Sequence, residues 1–120
     1  MKILVIQQKM IGDVLTSSIL FEAIKLKYPD AETHYAINSK TYAVVEKNPF
    51  INVFKFITPE IETSKIRFLG FLNEIKLEQY DIVIDVYSKS SSNLMSLFSK
   101  AKTKISKFKS YTSFIYTHTF

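Results

Sequence analysis

Four apolar side chains stand on consecutive positions near the start of the chain, Ile3-Leu4-Val5-Ile6. Strict alternation would mark a strand with one wet face, whereas an unbroken run marks a strand buried on both. Strands of that kind belong to parallel sheets, whose crossover helices cover both faces. A second such run, Ile82-Val83-Ile84, is bracketed by Asp81 and Asp85 and followed by Val86. These two segments are expected as neighbours at the centre of one sheet.

The intervening sequence supplies the crossovers. After a polar break from Gln7 to Met10, the residues Ile11, Val14, Leu15, Ile19, Ala23 and Leu26 recur at helical spacing. Tyr28-Pro29-Asp30 ends that helix, because proline cannot continue it. A strand is expected over Glu32 to Ile37, a cap at Asn38-Ser39, a short helix over Lys40 to Lys47 and a turn at Asn48-Pro49. Asn52 to Ile57 reads as a third strand, and Thr58-Pro59-Glu60 as the entry to one long helix carrying Ile61, Phe68, Leu69, Leu72 and Ile75. Gly70 is its weak spot. A helix over Ser90 to Ser99 and a fifth strand over Lys102 to Ser106 complete the pattern. Strands alternating with helices imply right-handed crossovers and an α/β, Rossmann-like, doubly wound and mainly parallel sheet.

One domain is expected over residues 1–106. Residues 107–120 differ: they are rich in aromatics and threonine, with Phe114, Tyr116, His118 and Phe120 on one side of an alternation. This tail is expected to lead toward a region beyond the chain, with its aromatics covered there.

Composition narrows the function classes. Of 120 residues 47% are hydrophobic and 14% aromatic, enough burial to offset ordering entropy and exclude disorder. No cysteine is present, which excludes a disulfide scaffold, a thiolate zinc site and a cysteine nucleophile. His34 and His118 have no partner at ligand spacing, so no metal is expected. The net charge of +5 favours anionic partners: phosphates, acidic sugars, a membrane surface or nucleic acid. The terminal lysines and aromatics make nucleic-acid binding a rival reading, but no RNA-binding motif adjoins them, and nucleic acid is not the expected partner. No apolar run approaches the roughly 18 residues of a membrane helix, and a cytoplasmic location is expected.

Ligands of open α/β sheets sit beyond the carboxyl ends of the strands. Here that edge is built from the loops after the first and fourth strands. The first reads Gln7-Gln8-Lys9-Met10-Ile11-Gly12-Asp13; with a single glycine it is neither a dinucleotide fingerprint nor a P-loop. It offers a lysine, a glycine permitting close approach and a carboxylate in the first turn of a helix. Asp13 has two readings that can hold together. An acid there complements the helix dipole, and a carboxylate at the mouth of a sheet can take a proton from a substrate hydroxyl.

Met1 to Ile6, the Ile11-Gly12-Asp13-Val14-Leu15-Thr16 helix start and Tyr28-Pro29-Asp30-Ala31-Glu32 together resemble the amino-terminal half of glycosyltransferase family 9, the lipopolysaccharide heptosyltransferases and their relatives. The resemblance runs on through Asn48-Pro49-Phe50-Ile51, Tyr80 to Asp85 and Ala101 to Ser106. It implies an inverting, metal-independent transferase of two Rossmann-like (GT-B) domains, the first holding the sugar acceptor and the second a nucleotide-activated donor such as ADP-heptose. On this resemblance Asp13 is the general base; Lys9, Gly12, Ser88 and Lys89 are expected as acceptor contacts from their own place in the loops at the carboxyl edge of the sheet. The implied partner is an anionic lipid-linked saccharide, met at the inner face of the inner membrane, with peripheral attachment there. Two departures stand out: Gln7 occupies a position that is often Arg or Lys, and Tyr87-Ser88-Lys89 replaces a His or Gln followed by Gly or Arg. No cofactor is implied, since the nucleotide sugar would bind the second domain. The 120 residues alone are then expected to catalyse no transfer. The alternative is a non-catalytic Rossmann-like module that binds an anionic ligand or a partner protein.

Overall fold

The computed structural model describes residues 1–8, 10–87, 89–106 and 118–119. Strand β1 (Lys2–Gln7) is followed by helices α1 (Ile11–Ser17) and α2 (Ile19–Lys27), β2 (Glu32–Asn38) and a 3-10 turn (Ser39–Val44). Then come β3 (Val53–Ile57), α3 (Pro59–Thr63), α4 (Lys65–Glu78), β4 (Ile82–Asp85), α5 (Ser90–Ser99), β5 (Thr103–Ser106) and β6 (His118–Thr119).

The sheet order is β3-β2-β1-β4-β5-β6, and every neighbouring pair is parallel. The two apolar strands are neighbours, with Leu4 opposite Val83 and Ile6 opposite Asp85. Ile3 to Ile6 are almost wholly buried, and each such side chain stabilises the fold by about 1.5–3 kcal/mol. Leu4 and Ile6 point into a core with Ala36, Ile57, Phe71, Leu72, Ile75, Val83 and Met95, beneath α4 and α5. Val5 points the other way, into a core with Val14, Phe21, Tyr35 and Ile37, beneath α1 and α2. The sheet is thus doubly wound, as the alternation of elements predicts.

Four local expectations need correction. Gln7 belongs to β1 rather than to the loop; it is buried, and its Nε2 donates to Ser17 Oγ at 3.1 Å. The first helix is two: at Ser18 the hydroxyl donates to Leu15 O at 2.5 Å and the amide is shared between the Val14 and Leu15 carbonyls, which tightens the turn. Such side-chain bonding competes with the regular ladder. The long helix after β3 likewise breaks, at Ser64 and not at Gly70. Ser64 is extended, and its hydroxyl accepts from the Arg67 amide at 3.3 Å, capping a new helix. The segment after β2 is a 3-10 turn ending at Val44, shorter than the helix expected to Lys47.

The caps at Asn38 and Thr58 are where the sequence places them. Asn38 Oδ1 accepts from Lys40 N at 3.1 Å, and Thr58 Oγ1 accepts from Ile61 N at 3.3 Å. Of the tail, His118–Thr119 pairs with Ile105 and Ser106 of β5; residues 107–117 and 120 lie outside the described residues.

Candidate functional site at the carboxyl edge of the sheet

Because all strands run in parallel, their carboxyl ends and the loops that follow share one edge of the sheet. A cleft of about 560 Å³ opens there, on the α4–α5 face, a size that suits a small ligand. Gln8 follows β1, Asn38 ends β2, Ile57 ends β3 and Tyr87 follows β4; all four line it. Ile61, Phe68 and Leu94 add apolar surface, and Lys65 and Ser91 add polar groups.

Hydrogen bonds fix the walls. Ser91 Oγ donates to Gln8 Oε1 at 2.7 Å, tying the loop after β1 to the first turn of α5. Asn38 Nδ2 donates to Glu62 Oε1 at 2.5 Å, tying α3 to the end of β2. The fully buried Asp85 accepts from the Tyr87 amide at 3.0 Å and so turns the chain after β4.

Asp13 lies in the first turn of α1, which follows the same loop but packs on the opposite face. Its side chain is exposed and is not part of the cleft wall. Among the described residues its carboxylate has no hydrogen-bond or ion-pair partner. The helix itself is anchored from below, since the buried Tyr35 hydroxyl donates to Val14 O at 2.8 Å. Burial raises the Tyr35 pKa well above the ordinary phenol value, so this donor stays protonated. Beside Asp13, Gly12 has an ordinary negative φ, and an added Cβ would meet nothing within 4 Å. The fold therefore does not require glycine at this position.

Lys89 is exposed at the N-cap of α5; its amide donates to Ser92 Oγ at 3.0 Å, and its carbonyl accepts from Asn93 N at 2.8 Å. Lys9 and Ser88, the other expected acceptor contacts, lie outside the described residues. The cleft residues contributed by β2 and the α3–α4 junction, Asn38 and Glu62 to Lys65, are absent from the sequence-derived site. They follow strands two and three, and only the strand order reveals that these ends adjoin the first and fourth.

The amino edge carries a different cluster. Glu78, at the end of α4, accepts from Lys2 Nζ at 2.9 Å and pairs with Lys55. These two lysines, Lys55 foremost, lower its pKa to about 2. The buried His34 has Nδ1 2.8 Å from the Tyr80 hydroxyl, while Nε2 lies 3.1 Å from Glu32 Oε1 without hydrogen-bond alignment. Burial pulls the His34 pKa below its ordinary value against the pull of Glu32 and Glu78. Asp81 also sits at this edge, accepting from Lys2 N at 2.8 Å; it is thus remote from Asp85 at the other end of β4, and the two do not form a catalytic pair. Among the described residues no cluster of His, Asp and Glu is arranged to hold a metal ion.

No family model matches the chain. Two curated proteins do: lipopolysaccharide heptosyltransferase 1 of Campylobacter coli, 26% identical over 80% of this chain, and a putative glycosyltransferase of Haemophilus influenzae, 26% identical over 98% of it. Among solved structures, a glycosyl transferase family 9 protein from Veillonella parvula superposes with a TM-score of 0.88 at 20% identity, over 99% of this chain. The likeness is to glycosyltransferase family 9. Escherichia coli ADP-heptose LPS heptosyltransferase II and heptosyltransferase WaaC, the latter solved with ADP, superpose with TM-scores of 0.71 and 0.80 at 23% and 14% identity, over 88% and 100% of this chain. The resemblance read from the sequence is thus borne out, and family 9 proteins share the fold described above. The chain spans 28% and 33% of the length of the two curated relatives, and 35% of the Veillonella chain.

Proposed function

We propose that the chain is the acceptor-binding part of an inverting, family 9-type glycosyltransferase, with Asp13 as its general base. The observation that carries this reading is the position of Asp13: an exposed carboxylate at the carboxyl edge of a parallel sheet, next to a glycine that the fold does not need. An open backbone at Gly12 lets a sugar hydroxyl approach the carboxylate closely. As the acceptor oxygen attacks the donor's anomeric carbon, its proton passes to Asp13 and the bond to the nucleoside diphosphate breaks on the far side. Proton transfer of this kind typically contributes about 10²–10⁴-fold.

The cleft beside the same loop fits an acceptor saccharide. Phe68, Ile61 and Leu94 offer an apolar surface for a sugar ring, and Gln8, Ser91, Tyr87 and Lys65 offer partners for hydroxyl and carboxylate groups. Lys9, Gly12, Ser88 and Lys89 would complete the acceptor contacts, and an anionic lipid-linked saccharide agrees with the charge of +5. The nucleotide sugar, ADP-heptose by analogy with the relatives' names, would bind a donor region that these 120 residues do not supply.

Since rate in such a reaction comes largely from holding two substrates in register, the isolated chain is expected to give no transfer from ADP-heptose. In a polypeptide that also carries a donor region, Asp13→Asn should lower kcat by about 10²–10⁴-fold with the acceptor KM little changed. Retained turnover in that variant would refute the assignment of the base. A second reading, a module that binds an anionic ligand without catalysis, is favoured by one observation: Asp13 is not in the wall of the cleft.

A further inference from the structure

Helix α1 carries the proposed base, yet apolar packing does little to hold it. Among its residues Val14 is buried, while Ile11 and Leu15 are each 52% exposed. Met10, at its N-cap, makes no side-chain bond to the free amides of the first turn. The break at Ser18 parts α1 from α2, so the buried Phe21 of α2 does not fix how α1 is turned about its axis. Seven residues alone are too few for a stable helix in water. Polar bonds from the sheet supply the rest.

Bonds of that kind come from two strands. From β2, the Tyr35 hydroxyl donates to Val14 O at 2.8 Å; from the end of β1, Gln7 Nε2 donates to Ser17 Oγ at 3.1 Å. A bond to a main-chain carbonyl fixes the height of the helix over the sheet. A bond to a side chain that leaves the helix sideways fixes its rotation. Ser17 follows Asp13 by four residues, which places the two on one side of α1, one turn apart and about 40° round the axis. Whatever holds Ser17 therefore also aims Asp13. Burial raises the Tyr35 pKa and the adjacent Ser17 hydroxyl opposes the rise, so Gln7, Ser17 and Tyr35 meet at one place beneath the helix.

We propose that Gln7 is a positioning residue, which through Ser17 holds α1 at the rotation that turns Asp13 toward the acceptor hydroxyl. The inference rests on the reading of Asp13 as the general base. It also accounts for an amide side chain at the end of an apolar strand. Gln7 is 4% exposed, and burying such a group is unfavourable unless it is bonded. The bond it makes reaches the helix that bears the acid, one turn from that acid. A methionine would fill the same space and leave α1 free to roll on Val14. A misplacement of about 1 Å at a reacting group can cost roughly 10²-fold in rate.

Kinetics of a polypeptide that also carries a donor region test it. Ser17→Ala removes the bond at a half-buried site; kcat should fall by about 10–10²-fold with the acceptor KM within about twofold. Ser17→Thr restores a hydroxyl and should recover most of that loss. Gln7→Met keeps the volume, and adding Ser17→Ala to it should cost nothing further, because both variants break one bond. In the labelled 120-residue chain, Ser17→Ala should shift the amides of Gly12 and Asp13 more than those of Phe21 and Ile24. An unchanged kcat in Ser17→Ala, a loss carried by KM, no recovery with threonine, fully additive losses or an unmoved Asp13 amide would overturn the proposal. If such a result accompanies loss of turnover in Asp13→Asn, the base stands and the positioning role falls; retained turnover in Asp13→Asn removes both.

Discussion

Single residues decide where the two helical layers meet the sheet, and Tyr35 is the clearest case. Its ring packs edge-on against Phe21 at 4.8 Å, and its hydroxyl holds the carbonyl of Val14, one residue after the proposed base. Tyr35→Phe keeps the packing and removes the bond. It should cost about 1 kcal/mol, visible as a lower urea midpoint with an unchanged slope. No loss would mean that α1 is held by packing alone. Asp13 and Gly12 could be singled out in the sequence because both lie within one turn of a helix start after a buried strand. Gln8 and Asn38 could not, since nothing in either residue's neighbourhood announces that α5 and α3 reach them. The hydrogen bonds from Ser91 and to Glu62 that place them join residues 83 and 24 positions apart in the chain.

At the scale of elements, the strands were legible and the helix breaks were not. An unbroken apolar run such as Ile3 to Ile6 has one inexpensive home, the middle of a parallel sheet, and β1 and β4 occupy it. Helical periodicity, by contrast, runs straight through Ser18 and Ser64, because apolar spacing reports which side faces the core and not where the backbone ladder is interrupted. At both sites a serine hydroxyl bonds to the main chain and settles the matter locally. Ser64→Ala should therefore destabilise the fold by about 1 kcal/mol through loss of the α4 cap. Thermal melting of the variant checks this, and a melting point equal to the parent's would show that packing of Phe68 and Phe71 alone sets the start of α4.

For the whole molecule, the two edges of the sheet divide the work. The amino edge is a stability device in which Lys2, Lys55 and Glu78 bring β1, β3 and α4 together over the buried His34. The signs of its pH dependence follow from linkage. His34 has its pKa lowered in the fold, so its contribution is complete above the ordinary value of 6.5 and is lost as the pH falls below it. Glu78 has its pKa depressed from 4.5 to about 2, so its contribution is complete above 4.5 and disappears toward 2. Stability should fall in two stages on acidification, and Glu78→Gln should remove the lower stage while leaving the upper; a single stage in the parent chain would contradict this division. The carboxyl edge, freed from that role, carries the exposed acid and the cleft. Addition of a short acidic core oligosaccharide to the isotopically labelled 120-residue chain, followed by amide shift mapping, tests this directly. The resonances of Gln8, Gly12, Asp13, Tyr87 and Ser91 should move together, and movement confined to the Lys2–Glu78 edge, or none, would contradict a sugar acceptor site beside Asp13.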